Sequence, residues 1–289
     1  NPGSPKHATF TTNIQHLLTQ NQIILLQETG RGHHIQASLP QGYKLYLNSS
    51  TSIPTRGKDK AGTAFVMSPT ILATCTVNHV IHHEAYSHSL LLTPHNQLLP
   101  SIRIINAYIS NSSTQEAKHC LELISFAEKS DITILGGDMN FTWTDKDSTS
   151  TRTSHFNIQA RLHTSSLLSS LDLVELYQPS HTHVCPSSSP SGIPRTSRID
   201  HFYIAIPPAL SALTNIHAHV TDIPISPLDR EAKRLHPPDH LPLAVRVNVK
   251  ALSRRGSRPP PLPSDYAKDP QVIEEITRRW QNSPSHFVQ

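Results

Sequence analysis

The chain has 289 residues, among them 24 prolines and 20 histidines, with 6% aromatic and 16% charged residues and a formal net charge of +4. That length admits one large domain or two small ones. From Lys250 onward there are seven basic and four acidic residues, so the tail carries +3 and the first 249 residues only about +1. A uniformly basic nucleic-acid binder is thereby excluded, and nucleic-acid binding would need a local patch. Cys75, Cys120 and Cys185 are far apart and form no CxxC, which reads as an intracellular reducing compartment without a disulfide framework. No apolar run reaches membrane-spanning length, so no membrane partner is expected. The chain opens on Asn1 without an initiating Met and reads as a piece of a longer polypeptide.

Ile14, Leu17 and Leu18 have helical spacing behind Thr11 or Thr12 as a cap. A strand is expected over Gln22–Leu26, then a loop-rich stretch over residues 30–60, with His33-His34 in a loop. Strand-like runs follow at Thr63–Met67, Ile71–Val77, Ser87–Thr93 and Ile102–Ile109, with His82-His83 again assigned to a loop. Glu116–Lys129 reads as an amphipathic helix, with Ala117, Cys120, Leu121, Ile124 and Ala127 on one face. Ile132–Leu135 is a strand, Asp145–His155 a Ser/Thr-rich surface loop, and Ile158–Tyr177 one or two helices. Strands return near His181–Cys185, Arg198–Ala205, Ile216–Thr221 and Leu243–Val249. Helices are too few for a doubly wound parallel sheet. The pattern fits an α/β fold, a four-layer sandwich of two packed, mainly antiparallel sheets with helices outside.

The body is expected to span residues 1–249, followed by a basic, Pro-rich linker over 250–268 and a helical segment over 269–289. Asp269 caps that segment, Pro270 takes its first position, and Val272, Ile273, Ile276 and Trp280 share one face.

Several polar islands stand beside apolar runs, and clustered carboxylates need a cation or a proton between them. Glu28 follows Ile23–Leu26 and Gln27. It is a ligand for a hard metal, or else an ordinary solvated strand-end acid. In Gly136-Gly137-Asp138-Met139-Asn140 the glycines permit a tight turn, and Asp138 and Asn140 project to one side. An acid there can act on water or metal while the amide donates to a phosphate oxygen; the same residues also make a common β-turn. Asp200 lies in an apolar strand and needs a partner, for which Asp239-His240 supplies an imidazole. Such a carboxylate–imidazole pair is a general-base dyad, although twenty histidines make any single one an ordinary surface residue equally well. Tyr108 ends a strand and is either a phosphate-binding phenol or a core residue. His181, His183 and Cys185 alternate as zinc-ligand types, but no fourth ligand has suitable spacing.

In chain order these read Glu, Tyr, Asp-x-Asn, Asp, Asp-His, and that order resembles the endonuclease/exonuclease/phosphatase superfamily, which includes DNase I and the apurinic/apyrimidinic endonucleases. More narrowly, the chain resembles the endonuclease domain of LINE-type (non-LTR) retrotransposons over about residues 1–249. Gln27-Glu28-Thr29, Lys60-Ala61-Gly62, Asn106-Ala107-Tyr108 with Asn111, Gly137-Asp138-Met139-Asn140, Ser197-Arg198-Ile199-Asp200-His201 and Asp239-His240 carry the resemblance. Pro238 departs from it, standing where the family has Ser, and Thr182 is matched only across a longer loop.

The resemblance implies a Mg²⁺- or Mn²⁺-dependent endonuclease that acts on double-stranded DNA in the nucleus, joined in one polyprotein to a reverse transcriptase. It implies catalytic roles for Glu28, Tyr108, Asp138, Asn140, Asp200, Asp239 and His240, with Glu28 and Asp239 at the metal. Asn1, Asn111 and Thr182 would contact substrate. If Asn1 is the family's first active-site Asn, the first core strand lies upstream of residue 1 and the fold is truncated there. An abasic-site repair endonuclease and a decayed DNA-binding relic are the alternatives. A deadenylase or phosphoinositide phosphatase is more remote.

Overall fold

The computed structural model describes residues 14–30, 32–49, 61–111, 113–149, 155–185, 195–211, 214–220, 240 and 242–249. Asn1, Lys60, Pro238, Asp239 and the linker and terminal segment expected over 250–289 lie outside them.

Two sheets build the fold. The smaller has the order β1 (Ile23–Gln27), β3 (Thr63–Met67), β2 (Lys44–Asn48). The larger runs β4 (Cys75–His83), β5 (Ser87–Pro94), β6 (Ile102–Tyr108), β7 (Ile132–Asp138), β11 (Asp200–Ala205), β8 (Val174–Glu175). Two further antiparallel pairs join β9 (His183–Cys185) to β10 (Arg195–Ser197) and β12 (Thr214–Val220) to β13 (Leu243–Val249). Among the described strands, the β6–β7 pair is parallel and the other pairs are antiparallel.

Side chains alternate between faces along a strand, and this alternation sorts the core into layers. Phe65 and Met67 of β3 meet Leu90 and Leu92 of β5 and Ile104 of β6 between the sheets. Ile24 and Val66, on the other face of the small sheet, pack against Ile14 and Leu18 of α1 (residues 14–20) and Ile35 of α2 (His33–Ser38). On the outer face of the large sheet, Ile105, Leu135 and Tyr203 meet Cys120, Leu121 and Ile124 of α4 (Thr114–Ser125) and Ala160 and Leu167 of α5 (His155–Ser170). The result is the four-layer α/β sandwich expected. No helix among the described residues is long and apolar enough to cross a membrane.

Local expectations fail in five places. The stretch read as one strand over Ile71–Val77 opens as helix α3 (Pro69–Thr74) and only then becomes β4. Ser68 caps α3 through the Ile71 N–H and Pro69 takes its first turn, a start signal that outweighs the β-branched residues behind it. Residues 30–60 include α2 and β2, so His33-His34 begins a helix. His82 and His83 belong to β4. The Ser/Thr-rich stretch after Asp145 holds a 3₁₀ turn, Asp145–Asp147, whose Asp147 is buried.

The fifth failure concerns Gly136-Gly137, which continue β7 to Asp138 and make no turn. They are glycines because the neighbouring strands leave no room. A Cβ on Gly136 would meet the Phe202 ring at 2.1 Å, and one on Gly137, at φ 147°, would meet the Ala107 carbonyl oxygen at 1.9 Å.

A histidine cluster lies within the β4–β5 hairpin. His79 Nε2 and His88 Nδ1 are 2.9 Å apart, and His82 Nε2 bonds Ser89 Oγ, which also accepts from Arg103 Nη1. Burial, then the charges of His79 and His82, push His88 down to about 3. Burial, then Arg103 and His79, push His82 down to about 4. The unfolded chain takes up protons at these positions below about pH 6.5, and the folded chain does not. Stability is therefore fully present above pH 6.5 and falls as the pH drops toward the folded values. The slope approaches about 1.4 kcal/mol per pH unit for each such histidine. Urea midpoints measured from pH 7.5 to 5 should fall, and less steeply in His82→Gln; a flat profile in the parent protein would refute this.

Candidate active site

The backbone register brings the polar islands together. Tyr108 of β6 pairs with Asp138 of β7, and Asp138 pairs with Asp200 of β11, so the three occupy one row across three adjacent strands. Directly opposed carboxylates repel unless something neutralises them. Burial, then the Asp200 charge, holds the Asp138 carboxyl well above the ordinary carboxylate range, against the pull of His240 and of the Asn140 N–H.

His240 faces both acids. Its Nδ1 lies 3.1 Å from Asp200 Oδ2 and its Nε2 3.9 Å from Asp138 Oδ2. With Nδ1–H donating to Asp200, the Nε2 lone pair is turned toward Asp138. Asp138, Asp200 and His240 each offer a ligand atom within 4.8 Å of the other two, a donor set suited to a divalent cation. A buried carboxylate facing a second, half-buried one across a strand pair is the sign that such a cation fits here.

Glu28 comes from the opposite sheet. β1 ends at Gln27, and Glu28 turns away at φ 52°, with the Thr29 N–H anchored on the Gly62 carbonyl. The Tyr108 hydroxyl donates to Glu28 Oε1 at 2.9 Å. Burial, then Glu28, pushes the phenol well above its usual range, so it stays a donor. The Tyr108 ring stacks parallel on Tyr86.

Asn140, at φ 53°, folds back on Asp138. Its N–H donates to Asp138 Oδ1 at 2.8 Å, and its Nδ2 donates to Asp138 Oδ2 and to the Ile109 carbonyl. The exposed Asn111 donates to Asn140 Oδ1. Thr182, expected among the substrate contacts, is fully buried at 0% exposure, and its Oγ1 accepts the Asp200 N–H. It stands behind Asp200 and holds that backbone. His183 carries the next ring, tilted against His240 at 4.9 Å, with a β-bridge joining the two residues. Of the expected metal pair, Glu28 stands against Tyr108, and Asp239, like Asn1, lies outside the described residues.

Sequence reasoning missed the charges beneath this row. Arg198, 3% exposed, bonds Asp147 Oδ1 through Nε at 2.9 Å and Glu175 through Nη1; its backbone N–H donates to the Asp147 carbonyl. Glu175 also bonds the buried His201 Nδ1 at 2.8 Å. Burial alone would raise Asp147, but hydrogen bonds from Arg198 and Thr144 outweigh it and hold Asp147 below its ordinary range. This network ties the turn after Asn140 to β8 and to the residues leading into Asp200. A signal was present: Arg198 stands two residues before Asp200, at the entry to the apolar strand Phe202–Ala205. Arg198→Met should lower unfolding free energy by about 3–5 kcal/mol in urea titrations, because buried Asp147 and half-buried Glu175 lose their cation. A loss under about 1 kcal/mol, the size of a surface pair, would contradict this.

Residues 7–265 match the model of the Endonuclease/Exonuclease/phosphatase family. The chain belongs to that family. No curated protein matches it significantly. Among solved structures, an AP endonuclease from Leishmania major superposes with a TM-score of 0.60 at 13% identity, covering 84% of this chain and 83% of that one. An AP endonuclease from Archaeoglobus fulgidus gives 0.54 at 19% identity, covering 86% and 96%. The endonuclease domain of TRAS1, a telomere-specific non-LTR retrotransposon, gives 0.52 at 16% identity, covering 85% and 93%. At these identities the likeness is one of fold.

Proposed function

We propose that this member of the endonuclease/exonuclease/phosphatase family is a Mg²⁺- or Mn²⁺-dependent DNA endonuclease of a non-LTR retrotransposon. It nicks one strand of duplex DNA in the nucleus, and the freed 3′-hydroxyl primes a reverse transcriptase of the same polyprotein. The observation that carries the hydrolytic part is the row Tyr108–Asp138–Asp200 with His240 closed over its two acids. The ordered motifs from Gln27-Glu28-Thr29 to Asp239-His240, and the fold shared with the TRAS1 domain, support the retrotransposon part.

Glu28 would hold the metal, with Asp239 as a further ligand; Asp138, Asp200 and His240 are the donor set that the structure brings together. When bound, the cation polarises the scissile phosphate and neutralises charge that develops on it. Water attacks phosphorus as the P–O3′ bond breaks, leaving a 5′-phosphate on one fragment and, on the other, a 3′-oxygen that takes a proton from solvent to become the hydroxyl. The water's proton passes to Asp138 or His240, whose facing atoms lie 3.9 Å apart. Asp200 keeps the ring oriented and stabilises its cationic form. Asn140 orients Asp138, and the Tyr108 hydroxyl orients Glu28. Asn111, and Asn1 upstream, are assigned to the phosphate.

Supercoiled plasmid should become open circles in Mg²⁺ or Mn²⁺, remain supercoiled in EDTA, and be nicked again when metal is restored. DNA binding that weakens with salt but never yields metal-dependent nicking would instead identify a relic. The AP endonucleases of similar fold favour one second reading, abasic-site repair. A preference of tenfold or more for abasic over intact duplex would select it.

A further inference from the structure

We propose that Asn106 and Gln27 are positioning residues that hold Glu28 and Tyr108 face to face across the two sheets, and so set the affinity of the site for its divalent cation. This inference rests on the metal-dependent nuclease reading above.

Asn106 lies two residues before Tyr108 on β6 and therefore on the same face of the large sheet. Its own strand bonds to β5 and β7, but its side chain reaches the other sheet. Nδ2 donates to the Leu26 carbonyl of β1 at 3.1 Å and to the Ala64 carbonyl of β3 at 2.9 Å. Oδ1 accepts from Gln27 Nε2 at 2.6 Å. The amide is 0% exposed, and both its donor group and its acceptor are engaged across the sheet interface.

Deeper in the sandwich the two sheets meet through Phe65, Met67, Leu90 and Ile104. Apolar contact is non-directional, so it resists separation far better than sliding. Hydrogen bonds are directional. The Asn106–Gln27 pair therefore fixes the offset of β1 against β6 at the end of the sandwich where the site is. Glu28 immediately follows Gln27 and leaves the strand in the left-handed region, a conformation a non-glycine residue keeps only when its surroundings hold it there. Tyr108 reaches Glu28 Oε1 from β6 at 2.9 Å, a distance that any slip of β1 would change. Both amides are neutral, so their removal alters where Glu28 stands without altering the charge of the site.

The test uses Gln27→Met, which keeps the length and packing of a half-buried, strand-terminal side chain and deletes its bond to Asn106 Oδ1. Asn106→Ser is the second variant and deletes that bond together with the two from Nδ2 to the Leu26 and Ala64 carbonyls. Mn²⁺ alone is titrated into parent and variants and followed by electron paramagnetic resonance, below the melting temperature of each. Half-saturating Mn²⁺ in plasmid nicking is measured in parallel. The expected result is about a tenfold weaker Mn²⁺ affinity in both variants, with the same shift in half-saturation. Variants that melt lower but bind Mn²⁺ like the parent would assign the pair a merely structural role and overturn the proposal. A parent protein that neither binds Mn²⁺ nor nicks would instead overturn the nuclease reading, so the two failures are distinguishable.

Discussion

His240→Ala should lower the nicking rate by about 10³–10⁴-fold, and Asp200→Asn by nearly as much. The double variant should be little worse than His240→Ala alone. The reason is the geometry of the pair: Asp200 sits 3.1 Å from Nδ1, so its contribution passes through the ring it orients. Without the carboxylate, the ring loses both its tautomer and the charge that stabilises its protonated form. Single-turnover nicking at saturating Mg²⁺ checks this. Fully multiplicative losses in the double variant would show that Asp200 acts on the metal or phosphate independently of His240, as the joint donor set with Asp138 also permits. His240→Ala should not change the melting temperature by more than a few degrees, because His240 is a partly exposed side chain.

The second large effect is on folding. Gly137→Ala places a Cβ 1.9 Å from a backbone carbonyl of the neighbouring strand, at a φ of 147°. The obstructing atom is the Ala107 oxygen within the parallel β6–β7 pair, and it cannot rotate away as a side chain does. Backbone strain and overpacking each cost about 1–3 kcal/mol, so a combined loss on the order of 4 kcal/mol is expected. For a domain of this size that is a fall in Tm of roughly 10 °C. Calorimetry measures it directly, and a change of under about 3 °C would mean that the strands part without cost. Activity should fall as well, since Tyr108 and Asp138 are the next pair along the same two strands.

Parts of this molecule were legible in the residues alone. The apolar run Ile102–Ile105, the alternation in Leu243–Val249, and the spacing of Ala117, Cys120, Leu121 and Ile124 announced strands and a helix, because regular elements leave their period on any chain. Asp200 in an apolar run announced that it needed a partner, because an unpaired buried carboxylate is costly. Other features were hidden by local ambiguity. Thr70-Ile71-Leu72 suits a strand as well as a helix, and only Ser68-Pro69 tips it. Gly136-Gly137 suits a turn as well as a strand squeezed by Phe202 and Ala107.

What the residues by themselves determined was the set of chemical groups and their order: Glu28, Tyr108, Asp138, Asn140, Asp200 and His240, each beside an apolar run. Tertiary structure decided which of them meet. Asp138 faces Asp200 because of a strand register, and register depends on partners far away in sequence. Arg198 is a buried clamp because Asp147 and Glu175 arrive from segments 51 and 23 residues away. Thr182 is enclosed behind Asp200 for the same reason. Composition and spacing specify what a side chain can do, but burial and distance, which set the strength of every charge in this site, exist only once the chain is folded.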